Sequence, residues 1–272
     1  MNGPVTESTS TTPQARPATA APPAVRVTDL TKDFAGGVQA LGGISFDVPR
    51  GELTTIIGPS GCGKTTTLKI VAGLVEATSG QVEVDGTPVT APGPDRAFVF
   101  QDFALMPWAT VLRNAAFGLE LRGVPRKERE AVARQYVDKV GLGRFADAYP
   151  HQLSGGMRQR VGLARALAVD ADILLMDEPF ASVDEQIRRK FQEDLLDLLA
   201  DESKTVIFVT HSIEEAVYVS DRIVLLSRRP GRVSQIIEPA ISREGDPDAI
   251  RRHPVYLDTV DAIWQGLKQY VE

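Results

Sequence analysis

The chain has 272 residues, 43% of them hydrophobic and 24% charged, which allows one large domain or two small ones around a substantial core. Its net charge of −6 argues against general nucleic-acid binding, which depends on Lys and Arg to displace counterions from phosphates. No run approaches the roughly 18 uninterrupted apolar residues of a membrane span, and the single cysteine excludes an internal disulfide framework and fits a reducing cytoplasm. Residues 1–24 are rich in Pro, Thr, Ser and Ala, with Glu7 and Arg16 their only charges. They lack the basic start and apolar stretch of a secretory signal and have too little to bury, so a disordered tail is expected.

Order is expected from about Val25. Val25, Val27 and Leu30 alternate with polar residues, as do Ile44, Phe46 and Val48, which predicts two strands with one buried face each. The run Leu53-Thr-Thr-Ile-Ile57 enters a glycine-rich loop, and Thr66-Thr-Leu-Lys-Ile-Val71 leaves it as a helix. Two β-branched runs follow, Gln81-Val-Glu-Val84 and Ala97-Phe-Val-Phe100. Residues 111–169 read mostly as helix, and three apolar runs at 173–176, 206–209 and 223–226 read as strands separated by helices. Strands alternating with helices predict an α/β fold with a mostly parallel sheet covered on both faces. The helical middle, about 104–168, would be a subdomain inserted into a unit spanning 25–240, and 241–272 a C-terminal helical extension. There Val255, Val260, Ile263, Trp264, Leu267 and Val271 recur at roughly helical spacing. A closing helix packed on the core is the expected reading, ahead of a partner-binding helix.

Three stretches carry chemistry. The first is a P-loop, Gly58-Pro59-Ser60-Gly61-Cys62-Gly63-Lys64-Thr65, followed by Thr66. Phosphate binding needs many N–H donors converging on a small volume, which glycines permit, and the following helix adds its positive end. Lys64 supplies a point charge to the β- and γ-phosphates, and Thr65 offers its hydroxyl to Mg²⁺. The second is Asp177-Glu178-Pro179 at the end of an apolar strand, at the sheet edge where open α/β sheets bind ligands. Asp177 suits Mg²⁺, and Glu178 suits the orientation and deprotonation of an attacking water. An N-cap with a first-turn acid is the structural alternative, which Pro179 disfavours. The third is Leu153-Ser-Gly-Gly-Met-Arg-Gln-Arg160. Ser154 caps a helix there, and with Gly155 and Gly156 it forms a second anion site on a chain that already has one.

The order and spacing of these stretches resemble the ATP-binding subunits of ABC transporters, over roughly Val25 to Glu238. The resemblance implies an ABC cassette with an antiparallel β subdomain, acting as a head-to-tail dimer that sandwiches two ATPs between P-loop and opposing signature. It implies that Gln101 touches Mg²⁺ and the attacking water, that His211 is the switch histidine at the γ-phosphate, and that Asp184 belongs to the D-loop. It also implies that Phe34 stacks on adenine. His211 as an ordinary structural histidine and Phe34 as a core-edge residue are the alternatives. Met157 replaces the commonest glutamine of the signature and Val183 the commonest leucine of the D-loop, and neither change removes a phosphate ligand.

The stretches 100–108, 111–121 and 226–232 further resemble importers of nitrate, taurine and alkanesulfonates. Thiamine-precursor importers are the alternative, and soluble ABC ATPases acting on DNA or ribosomes are a more distant one. The implied partners are a second copy, transmembrane permease subunits and, indirectly, a solute-binding protein. The implied location is the cytoplasmic face of the membrane, as a peripheral subunit. Pro107 and Trp108 are expected to dock a short permease helix, unless Trp108 is buried in the cassette itself. Cys62, beside Lys64 and a helix N-terminus, is expected to ionise readily and to be open to alkylation.

Overall fold

The computed structural model describes residues 21–181, 185–243 and 245–270. Two sheets organise them. The larger has six strands in the order β10-β9-β3-β8-β7-β6. Its members are β3 (Leu53–Ile57), β6 (Arg96–Val99), β7 (Ile173–Asp177), β8 (Thr205–Val209), β9 (Arg222–Leu226) and β10 (Val233–Ile237). All pairings are parallel except that of β10 with β9.

The four central strands are continuous apolar or β-branched runs because both of their faces are covered. Leu174, Met176, Val206, Phe208, Ile223 and Leu225 enter one core, shared with the helices. Their neighbours Ile173, Leu175, Ile207, Val209, Val224 and Leu226 enter a second core on the opposite face. That alternation is the period of a strand.

The second core is closed by the helix α1 (Lys64–Val71) and by a four-stranded antiparallel sheet in the order β2-β1-β4-β5. Its strands are β1 (Val25–Phe34), β2 (Val38–Val48), β4 (Ser79–Val84) and β5 (Thr87–Pro88). Val25, Val27 and Leu30 are all buried although 27 and 30 are of opposite parity. A bulge resolves this: Asp29 has φ 45°, and the register with β2 shifts between Val27 and Leu30. Ser45 holds the bulge, its Oγ accepting from the Asp29 N–H at 2.9 Å.

Between β6 and β7 lie α2 (Val111–Leu121), α3 (Arg126–Lys139) and α4 (Gly155–Ala168), packed on one another. Thr110 caps α2 and Ser154 caps α4, each accepting one of the backbone N–H groups a helix start leaves free. After β7 come α5 (Glu185–Glu202), α6 (Ile213–Val219), α7 (Pro247–Arg252) and α8 (Pro254–Lys268). Helix α8 packs on α6, with Tyr256 donating to the Glu214 carbonyl at 3.2 Å. The buried stripe of α8 is Tyr256, Ile263 and Leu267, with Val260 partly covered beside it. Val255 and Trp264 face solvent instead, because the helix phase turns them away from α6. Val271 lies outside the described residues. Strand β10 was not anticipated; it is a largely exposed edge with little apolar pattern to read.

Gly73, at φ 74°, ends the turn after α1, and a Cβ there would overlap the carbonyl of Ala91. Gly73→Ala is expected to destabilise the protein by about 2–4 kcal/mol, through backbone strain and displacement of the facing chain. Urea unfolding of the purified variant checks this; a loss below about 0.5 kcal/mol, the level of an ordinary surface substitution, would contradict the close approach.

Candidate active site

The parallel register places three loops side by side. Ile56 and Asp177 both lie opposite Val209 of β8, so residues 58–63, 178–181 and 210–212 leave the same edge of the sheet. The P-loop conformation is set by close packing and by the Lys64 side chain. A Cβ on Gly58 would stand 2.8 Å from both the Cys62 sulfur and the Leu226 carbonyl oxygen. Gly63 has φ 100° and would press a Cβ to within 2.5 Å of Leu41. Lys64 is 7% exposed, and its ammonium donates to the carbonyls of Gly58 at 2.9 Å and Pro59 at 3.3 Å. The cation is therefore held across the loop.

Asp177 lies beneath this loop, 4% exposed, and its Oδ1 accepts from the Thr65 hydroxyl at 2.9 Å. Burial pushes the Asp177 carboxyl above its ordinary range, with the Thr65 hydrogen bond opposing that shift. Glu178 adopts φ 46°, a left-handed conformation rather than the first turn of a helix. Such a backbone costs on the order of 1–3 kcal/mol and persists only when its surroundings impose it. Here the Glu178 N–H donates to Val209 at 2.9 Å, its carbonyl accepts from Ala181 at 3.1 Å, and Phe180 is buried against Phe191 and Phe208. The Glu178 carboxylate, so aimed, meets His211 Nδ1 at 3.0 Å.

Phe34, Ser60, Gly61, Gly63, Lys64, Thr65, Thr66 and Glu178 line one cleft of about 360 Å³. Phe34 is 43% exposed on the cleft wall, with the Lys32 ammonium 5.1 Å above its ring, and is not a core-edge residue. Ser154, Gly155 and Gly156 do not line this cleft, and neither does Gln101, which is exposed after β6. Asp184 and Val183 lie outside the described residues.

Cys62 corrects an expectation. Its side chain is fully buried in the second core, where it packs against Gly58, and does not line the cleft. Burial pushes the thiol up, outweighing the pull of Lys64. The adjacency to a lysine and a helix start was legible in the sequence, whereas the desolvation that overrides it was not.

Two residues missed in the sequence shape the segment after Gln101. Phe103 and Ala104 both have positive φ, 60° and 45°, and both their carbonyls accept from Arg165 of α4 at 2.7 Å. Asn114, fully buried in α2, accepts from the Met106 N–H at 2.8 Å and donates to the carbonyls of Met106, Ala109 and Thr110 at 3.0–3.1 Å. One amide thus pins residues 106–110. Trp108, at the tip of that pinned loop, is 72% exposed, so it is not a core tryptophan. A polar residue on the apolar face of α2 was the available signal for Asn114.

Comparison with known proteins agrees with this geometry. The profile of the ABC transporter family matches residues 41–181. An uncharacterized ABC transporter ATP-binding protein of Methanocaldococcus jannaschii is 52% identical over 229 residues, 83% of this chain and 86% of its own. The nitrate import ATP-binding protein of a Synechocystis species is 42% identical over 255 residues, 89% of this chain and 95% of its own. The taurine import ATP-binding protein of Rhizobium johnstonii is 44% identical over 230 residues, 83% and 88% of the two chains. Among solved structures, a dimeric post-hydrolysis state of an ATP-binding cassette bound to ADP and phosphate aligns with TM-score 0.69 and 33% identity, over 79% of this chain and 98% of that one. The chain belongs to the ABC transporter family and is one of its ATPase cassettes.

Proposed function

We propose that the chain is the ATP-hydrolysing subunit of an importer for a small solute such as nitrate, taurine or an alkanesulfonate, working as a head-to-tail pair beneath separate permease subunits. One observation carries the catalytic part: Lys64, Thr65 and Glu178 line a single cleft, with Asp177 hydrogen-bonded to Thr65 and His211 to Glu178. The phosphates of ATP lie against the loop N–H groups, the N-terminus of α1 and the Lys64 ammonium. Thr65 and Asp177 offer a hydroxyl and a carboxylate oxygen, hard donors of the kind that hold Mg²⁺ together with substrate phosphates, and Gln101 is the further proposed oxygen donor. Mg²⁺, when bound, neutralises charge on the β- and γ-phosphates. Glu178 takes a proton from the attacking water as the bond to the ADP leaving group breaks, and His211 both orients that carboxylate and contacts the γ-phosphate. Asp184 is assigned to the D-loop on the family resemblance alone.

Ser154, Gly155 and Gly156 stand apart from the cleft on the capped start of α4, which supports their use on the nucleotide of a second copy. A relative of known structure is dimeric with ADP and phosphate bound. No helix among the described residues is long and apolar enough to cross a membrane, so the permease supplies the path. The pinned, exposed Trp108 supports a docking role for residues 101–108, at the cytoplasmic face of the membrane. The proposed division of the chain is a tail at 1–24, a cassette at 25–240 and a helical extension at 241–272. The solute class rests on the nitrate and taurine import relatives. Isolation of the chain with its associated membrane proteins, followed by assay of solute-stimulated ATPase activity, tests the reading.

Glu178→Gln is expected to leave ATP affinity unchanged and lower turnover by roughly 10²–10⁴-fold, the range for a lost general base. Phosphate release by the purified variant measures it, and near-normal turnover would sink the assignment of the base.

Lys64→Ala should weaken ATP binding by one chain, whereas Ser154→Arg should leave that binding intact and abolish ATP-driven dimerisation. Calorimetry and sedimentation separate the two. Loss of ATP binding by monomeric Ser154→Arg protein would overturn the two-copy arrangement.

Trp108→Glu should leave the melting midpoint and basal ATPase activity near wild type while abolishing solute uptake by the assembled importer. Unchanged uptake would remove Trp108 from the docking surface.

A further inference from the structure

Residues 227–232 join β9 to β10 and are fixed at several points. The Ser227 N–H donates to the Arg232 carbonyl at 2.9 Å, and the Arg232 N–H donates to the Ser227 hydroxyl at 3.1 Å. Gly231 is buried; its N–H donates to Ala40 and its carbonyl accepts from Gly42, both at 2.9 Å. A Cβ on Gly231 would overlap the carbonyl of Cys62, so the loop rests on the P-loop itself. On the other side Pro230 and the Arg232 guanidinium lie over Gly42, where a Cβ would stand 3.2 and 3.3 Å from them.

Arg229 sits in the middle of this anchored loop and lines the same cleft as Phe34, Ser60 and Lys64. It is exposed, and it forms no hydrogen bond or ion pair with any described residue. Its neighbour Arg228 is also exposed but does not line the cleft. A guanidinium offers five N–H donors in a plane and a face that stacks on aromatic rings, so one aimed into a cleft without a partner fits an anion or a base. The loop amides and the buried Lys64 already serve the terminal phosphates. Arg229 comes instead from the side of Ala40 and Gly42, on the hairpin that carries Phe34.

The geometry points to Arg229 as a nucleotide-binding residue, the cationic wall of the ATP site on its adenosine side, opposing the nucleotide together with Phe34. This rests on the ATPase reading above. It assigns a role to a side chain that no nucleotide-binding motif of the sequence contains.

Calorimetric titration of the full chain with ATP and with ADP, in EDTA to prevent turnover, tests it. Arg229→Gln shortens the side chain, keeps it polar and removes its charge; it is expected to weaken both nucleotides about tenfold, the low end for a charge-assisted hydrogen bond because the residue is exposed. Arg229→Lys should recover part of the loss, and Arg228→Gln should bind as wild type does. A loss confined to ATP would overturn the adenosine-side placement. Wild-type affinity of an Arg229→Gln protein with an unchanged melting midpoint would overturn the inference outright. Failure of the wild-type chain to bind ATP would instead sink the ATPase reading on which it rests.

Discussion

The parallel pairing of β3, β8 and β7 is the constraint on which the site depends. Each of these strands is buried on both faces, so its register is set by two cores at once and cannot slip by a residue without turning every side chain to the wrong side. With that register fixed, Ile56, Val209 and Asp177 share one level, and the loops that follow them must meet. The position of Lys64 over Asp177, and of Glu178 beside His211, follows from strand pairing more than from any attraction between those groups.

Around this edge the protein holds several backbone conformations that would relax if left alone. Glu178, Phe103 and Ala104 all have positive φ. Each is imposed by a different device: buried Phe180 and two backbone hydrogen bonds for the first, and the Arg165 guanidinium for the other two. Arg165 is half-buried with only carbonyls as its hydrogen-bond partners among the described residues, and burial lowers its pKa. It belongs to α4, the helix capped by Ser154. The segment that ends at Trp108 is thus hydrogen-bonded to the helix that begins after Ser154.

Helix α8 extends the same logic to the segment around His211. It packs on α6, which begins immediately after His211 and is capped by Ser212. The Thr210 hydroxyl donates to Glu215 of α6 at 2.5 Å, which ties the end of β8 to the helix on either side of His211. The C-terminal extension is thereby part of the support of the site, although none of its described residues lines the cleft.

The sequence by itself determined the family and most of the sheet. Short apolar or β-branched runs such as 53–57 and 173–176, bounded by loop residues, read as strands covered on both faces, and a glycine-rich loop between such a strand and a helix has a specific use. What it could not determine were the properties created by distant neighbours. Cys62 reads as an activated thiol from its adjacent residues, yet the second core around it decides its ionisation. Asn114 and Arg165 read as ordinary helix residues until the loop they clamp is folded onto them. Trp108 could have been core or surface, because a lone tryptophan in a loop has no periodicity to place it. Arg229 lies far along the chain from Lys64 and reaches the same cleft only because Gly231 pairs with Ala40 and Gly42. Local pattern fixes which atoms are available, but burial and convergence are sums over the whole packed chain, and only the tertiary structure performs that sum.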